Sequence, residues 1–190
     1  MKISEHIFQS LRSNLSGRKI KRIYRNGFKS SAVAIINHYI KGEYYILFTL
    51  RSNKVKYHQG QISFPGGALN RGERLIQCAI RETYEELGIK LNKEEVLGRL
   101  DDILTISKFR ITPFVFFTKN RDILCELSPN DEIAEVLNVP LRFLLSHIPR
   151  VEDINYGRLK IRQYFYDYNG YIIWGATGRI LKQYLDMLSL

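Results

Sequence analysis

Long apolar runs are missing from these 190 residues. No stretch approaches the roughly 18 consecutive apolar side chains of a membrane-spanning helix. The first residues, Met1-Lys2-Ile3-Ser4-Glu5-His6, lack the apolar core of a signal peptide. The last three, Leu188-Ser189-Leu190, do not form the basic peroxisomal tripeptide. Cysteine is scarce: Cys78 and Cys125 are too few for a disulfide framework and lack metal-ligand spacing. Repeats, low-complexity tracts and Pro/Gly-rich linkers are absent as well, which argues against a solenoid and against several domains. One domain over residues 1–190 is expected, with reduced thiols, in the cytoplasm and without membrane association.

What is present is an ordinary globular mixture, 45% apolar and 25% charged, long enough to bury a sizeable core. The net charge of +10 favours anionic partners: phosphate-rich small molecules, nucleic acid or a membrane surface. The densest basic run, Arg18-Lys19-Ile20-Lys21-Arg22, reads as a solvated face or a basic strand edge. No RNA-binding aromatic motif accompanies it, so no nucleic-acid partner is expected.

Hydrophobic periodicity outlines the elements. Ile3, Ile7, Phe8, Leu11 and Leu15 recur at helical spacing, so an N-terminal helix with a basic extension is expected within residues 1–25. Residues 31–36 and 44–50 read as neighbouring strands across a Lys41-Gly42 turn. Residues 74–87 read as a helix. Residues 98–106 and 111–118 read as strands, Pro113 arguing for an edge or a bulge in the second. Residues 130–138 read as a short helix ended by Pro140. Lys160–Tyr168 and Tyr171–Trp174 form a hairpin about Asn169-Gly170, and a last helix runs from Thr177. Interleaved strands and helices predict an α/β chain, layered α/β/α around a mixed sheet.

The chemistry is concentrated between residues 63 and 89. Gly67 is followed at fixed intervals by Glu73, Arg81-Glu82, Glu85-Glu86 and Gly88. Chance produces that spacing on the order of once per million such sequences. On a helical wheel Ile76, Ala79, Ile80, Thr83 and Leu87 make a stripe that packs on a sheet. Glu82, Glu85 and Glu86 share the adjoining arc, since positions three and four apart are neighbours. Three carboxylates so close repel each other, and a bound cation removes the penalty. Mg²⁺ prefers such oxygen ligands and bridges carboxylates to phosphates. Arg81, one turn before Glu85, is placed to orient it. Phe64-Pro65-Gly66-Gly67 reads as a turn that lets backbone approach a metal or phosphate closely, with a carbonyl available to a metal shell. Glu73 suits the helix dipole at its N-terminus.

These residues resemble the Nudix box, G-x5-E-x7-R-E-U-x-E-E-x-G-U with U apolar; Thr83 at the first U is the one departure. The resemblance implies a Nudix-type α/β/α sandwich and a hydrolase of nucleoside diphosphate derivatives dependent on Mg²⁺ or Mn²⁺. It implies Glu82, Glu85 and Glu86 as metal ligands, assisted by the Gly66 or Gly67 carbonyl, with Arg81 holding the constellation together. The stretch from Leu47 through Thr49, Arg51-Ser52, Lys56 and Gly60 to Phe64-Pro65-Gly66-Gly67 is similar to the signature of the coenzyme A diphosphatase subfamily, L-L-T-x-R-S-x3-R-x3-G-x3-F-P-G-G. Phe48 and Lys56 depart from it, and Lys56 keeps the charge of the arginine but not its bidentate fork. Thr105 to Pro113 resembles that subfamily's next strand pair, Asp131 to Val136 its second helix, and Ile173 to Gly178 the start of its last helix.

The implied reaction splits coenzyme A, or a derivative, into 4′-phosphopantetheine (or its derivative) and adenosine 3′,5′-bisphosphate. The alternative is another nucleoside diphosphate, such as ADP-ribose or a dinucleotide. Substrate contacts are expected from Arg51, Ser52, Lys56, His58, Gly66 and Gly67, with Lys54, Lys108 and Arg110 as further cations near the motifs. The proton acceptor is either Glu82 or Glu132, the latter expected on the second helix. Oligomeric state is left open.

Overall fold

A computed structural model describes residues 5–54, 59–120, 123–157 and 159–188. The elements run α1 (His6–Gly17), β1 (Lys29–Ile40), β2 (Glu43–Arg51), β3 (Ile62–Ser63), β4 (Gly66–Ala68), α2 (Leu75–Leu87), β5 (Val96–Arg99), β6 (Ile103–Leu104), β7 (Phe109–Phe117), β8 (Ile133–Pro140), α3 (Leu141–Ser146), β9 (Arg150–Tyr156), β10 (Leu159–Tyr168), β11 (Tyr171–Ile173) and α4 (Gly175–Leu188).

The main sheet is mixed. β1 pairs antiparallel with β2 and parallel with β7, while β5 and β6 pair antiparallel with the far edge of β7. Strand alternation sends β1 side chains to two cores. Ala32, Ala34 and Ile36 meet Cys78, Ala79 and Leu87 of α2. Ile35 joins the other cluster, with Phe8, Leu11 and Leu15 of α1 and Ile180, Leu181 and Tyr184 of α4. The layered α/β/α fold around a mixed sheet follows, as the sequence predicts.

The sheet opens where the chemistry lies. β1 and β2 are bonded from Ile36 to Leu47 and then part. Below that point β4 pairs with β1 through Ser31, Ala32 and Val33, while β3 pairs with β2 through Thr49 and Leu50. The segment 62–68 therefore lines both arms of a V. Gly66 and Gly67 lie in a short strand, not in the expected turn. At Gly66 φ is 151°, and a Cβ would stand 2.3 Å from the Ala32 carbonyl oxygen, so only glycine pairs that closely with β1.

The expected helix over 130–138 is instead strand β8, paired along the outer edge of β2 from Tyr45 to Arg51. Ile133, Leu137 and Val139 are buried, and β-branched side chains suit a pleated surface. Pro140 does not end a helix but closes β8 and stands immediately before α3. Pro113 is also corrected: β7 is an interior strand. Its carbonyl accepts from the Leu100 N–H at 3.0 Å, so the proline nitrogen faces the same gap between β5 and β6, where no ladder bond is lost. β9, unforeseen, pairs with β10 beside the expected hairpin.

The basic extension after α1 docks on residues 101–102. Arg18 pairs with Asp101, and the Lys21 and Ile23 amides donate to the Asp101 and Asp102 carboxylates at 2.9 Å. Among the described residues no helix is long and apolar enough to cross a membrane.

Candidate active site

Helix α2 is set by its ends. The Arg74 N–H donates to Gln77 Oε1 at 3.0 Å at the start. Gly88 closes the end with φ 75°, its amide donating to the Tyr84 carbonyl at 2.8 Å. Thr83, at an apolar position of the box, is fully buried and turns its hydroxyl back to the Ala79 carbonyl at 2.7 Å, satisfying itself within the helix. The buried stripe is rotated from the wheel's expectation. It takes in Cys78 and Glu86, while Ile76 and Ile80 are only partly buried.

Arg81 is the hub of the acidic arc. Its Nε and Nη2 grip Glu73 at 2.8 and 3.1 Å, and Nη1 donates to Glu82 at 2.7 Å and Glu85 at 2.8 Å. Nη2 also reaches the Ala68 carbonyl at 3.1 Å, tying the helix to β4. Hydrogen bonds from Arg81 hold the Glu73 carboxyl below the usual range, and bonds to Glu73 and Glu82 raise the guanidinium pKa. Glu73 therefore anchors Arg81 from just outside the helix, one residue before the Arg74 N-cap, instead of sitting at the helix start as expected.

Glu82 and Glu86 meet the glycines. A Cβ on Gly67 would fall 2.3 Å from the Glu82 carboxyl carbon, so the missing side chain is the space that carboxylate fills. Glu86 is 5% exposed; its Oε2 accepts the Gly66 N–H at 3.1 Å, and its Oε1 lies 3.7 Å from Arg51 Nη1. Burial outweighs both partners and pushes the Glu86 carboxyl up to about 7. Burial also raises Glu82, against the pull of Arg81. Glu85 is the open member, its side chain 53% exposed.

Across the V, Arg51 ends β2 and bonds Glu132 at 3.1 Å. The Ser52 amide donates to the Glu132 carbonyl at 2.7 Å, and Ser52 Oγ accepts the Lys54 amide at 3.1 Å, ordering the turn after β2. Glu132 thus stands at the entry to β8, not on a helix. Arg51, Glu86 and Glu132 form one chain of charge, so the arms of the V converge on α2. Lys56 and His58 lie outside the described residues. Lys108 and Arg110 stand apart, at the start of β7 across β1 from β4. Arg110 is committed to the N-terminal extension, donating to the Ile23 carbonyl at 3.0 Å and Ser30 Oγ at 2.7 Å.

Asn130 was not signalled by any motif. Its side-chain amide donates to the Glu85 carbonyl at 3.1 Å, and its Oδ1 accepts the Glu132 N–H at 2.9 Å. With the Ser128 and Asn130 amides on the Leu87 and Glu86 carbonyls, the loop before β8 satisfies the C-terminal end of α2.

As the side chains lie, no three acidic, histidine or cysteine groups among the described residues converge to hold an ion. Glu82 and Glu85 are turned to Arg81, and Glu86 to Gly66. The donor set nevertheless fits a hard divalent cation in kind. It is all carboxylate oxygen, partly buried, with Glu86 short of compensation and the two glycines of β4 opposite.

The comparisons agree with this architecture. The family model described as the NUDIX domain matches residues 29–147. The Nudix hydrolase NudL of Pectobacterium atrosepticum is 34% identical over 148 residues, covering 76% of this chain and 75% of that one. Nudix hydrolase 3 of Caenorhabditis elegans is 25% identical over 195 residues, covering 93% and 81%. Among solved structures, a MutT/nudix family protein from Enterococcus faecalis superposes with a TM-score of 0.55 at 16% identity, over 90% of this chain and 58% of that one. A box whose Gly67 makes room for the Glu82 carboxylate, within a domain matched from β1 to the loop after α3, places the chain in the Nudix hydrolase family.

Proposed function

We propose that this chain hydrolyses the pyrophosphate bond of coenzyme A or a derivative, releasing 4′-phosphopantetheine (or its derivative) and adenosine 3′,5′-bisphosphate. The observation that carries the reading is that residues 47–52 and 62–67 of that signature line both arms of the V, ending against Glu82 and Glu86. A subfamily-like signature therefore borders the carboxylates. In this reading Glu82, Glu85 and Glu86, with the Gly66 carbonyl, hold Mg²⁺ or Mn²⁺. The cation's contribution is to neutralise the diphosphate and acidify water.

The protein's own groups do the rest. Arg81 holds Glu82 and Glu85 in register with Glu73. Arg51, Ser52, Lys56 and His58 meet the substrate, Arg51 standing between Glu86 and Glu132. Glu132 takes the proton: its side chain is 55% exposed and free of Arg81, whereas Glu82 is enclosed by Arg81 and Gly67. The partner is a small molecule, and the compartment is the cytoplasm.

The test is turnover of coenzyme A, ADP-ribose and dinucleoside polyphosphates, with and without chelator, products identified by mass. Coenzyme A consumed fastest, and only with divalent metal, is the expected result. Rapid loss of ADP-ribose beside inert coenzyme A overturns the substrate, and undiminished turnover in chelator overturns the metal.

A further inference from the structure

We propose that the groove between α4 and β10 is a second ligand site, taking a phosphate-bearing small molecule of mononucleotide size. It rests on its own residues and does not depend on the reading of the carboxylate centre. A cavity of about 470 Å³ lies there, floored by Ile103 and walled by Lys160, Arg162, Tyr164, Arg179 and Lys182. That volume is in the range of small-molecule sites and exceeds what a lone phosphate fills.

The lining is arranged by periodicity. Lys160, Arg162 and Tyr164 alternate onto one face of β10. Arg179, Lys182 and Asp186 recur at helical spacing along α4 and face them. Of the four cations, Lys160 and Arg162 share Asp153, at 3.4 and 3.0 Å, and Lys182 pairs with Asp186 at 2.5 Å. Arg179 has no carboxylate partner among the described residues. Its Nη2 donates to the Leu104 carbonyl at 2.8 Å, and its Nε is buried without an acceptor. A solvated surface arginine is not held in this way. A guanidinium pinned in a groove and short of an anion is suited to a phosphate, which accepts in the plane of its fork. Tyr164, already beneath the Lys182 ammonium at 5.9 Å, and Ile103 offer the apolar walls that a base or sugar requires.

The groove is separate from the Nudix box. Ile103 pairs with Ile111, Ile111 with Ser31, and Ser31 with Ala68, so three strand spacings, about 14 Å, divide β6 from β4. Helices α2 and α4 also cover opposite faces of the sheet.

Calorimetric titration with ADP, at low salt and in chelator, tests the assignment. The wild-type chain and Glu86→Gln are expected to bind with the same sub-millimolar Kd. Arg179→Gln should weaken binding roughly tenfold. The pair Lys160→Gln with Arg162→Gln should do likewise, and its strand positions are exposed, so folding is preserved. No binding by the wild type, binding indifferent to both sets of variants, or binding lost in Glu86→Gln overturns the proposal. So does binding of a single-stranded RNA oligomer with ADP inert.

Discussion

The Asn130 side chain donates to the Glu85 carbonyl at 3.1 Å, joining the loop before β8 to the last turn of the acidic helix. Because Asn130 Oδ1 also orders the Glu132 amide, one side chain spaces Glu132 from α2. Asn130→Ala should cost about 0.5–1 kcal/mol in thermal unfolding, the loss of two exposed hydrogen bonds. It should also lower kcat more than it raises KM. Unchanged kcat beside lowered stability would remove Asn130 from the positioning of Glu132.

Gly66→Ala and Gly67→Ala should fail differently. At Gly66 the methyl meets the Ala32 carbonyl and the backbone is in a glycine-only region, so stability should fall by about 3 kcal/mol or more. At Gly67 the three atoms nearest the methyl all belong to the Glu82 carboxyl, the end of a movable side chain. Turnover should drop by about 10²-fold with a near-native melting temperature. Circular dichroism and kinetics on both variants check the contrast.

Glu86→Gln should abolish turnover without unfolding the chain. In chelator it should also change the pH dependence of stability. The wild-type Glu86 carboxyl is raised by burial from 4.5 to about 7, so the folded state holds this proton more tightly than the unfolded one. Its contribution is favourable at low pH and is lost as pH rises from about 4.5 to 7, by at most about 3 kcal/mol. Glu86→Gln should lack that slope in urea titrations. Full turnover in this variant would remove Glu86 from the metal set.

His38 acts in the opposite sense. It is fully buried, bonded to Asn138 at 2.9 Å, and burial lowers its pKa from 6.5 to about 4. The unfolded chain takes up this proton first, so stability present above pH 6.5 is lost as pH falls toward 4. His38→Gln, which can still bond Asn138, should flatten that acid limb in the same titrations.

The local half of the site was legible and the long-range half was not. Gly66, Gly67, Arg81 and the three box glutamates stand within one glycine–helix unit, where spacing alone dictates proximity. The burial of Glu86 was not legible, because it depends on how far α2 rolls against β1. Residues 130–138 misled for a physical reason. Their apolar positions suit a helix in isolation, but the open edge of β2 supplies backbone partners from Tyr45 to Arg51 and draws them into a strand. Asn130 had no signal, since a lone asparagine in a loop becomes informative only when α2's carbonyls are seen beside it. Pro113 was misplaced because the gap between β5 and β6 that tolerates it is made by residues 100–102.

The Arg81 hub has a consequence for the order of events. Among the described residues five carboxylates, Glu73, Glu82, Glu85, Glu86 and Glu132, meet two guanidiniums there, Arg81 and Arg51. In a chain of net charge +10, the V is thus a pocket of opposite sign. A diphosphate drawn in by the basic exterior meets like charge at the last few ångströms unless a cation has arrived first. With these carboxylates as the proposed cation ligands, metal-first, ordered binding is the expected sequence.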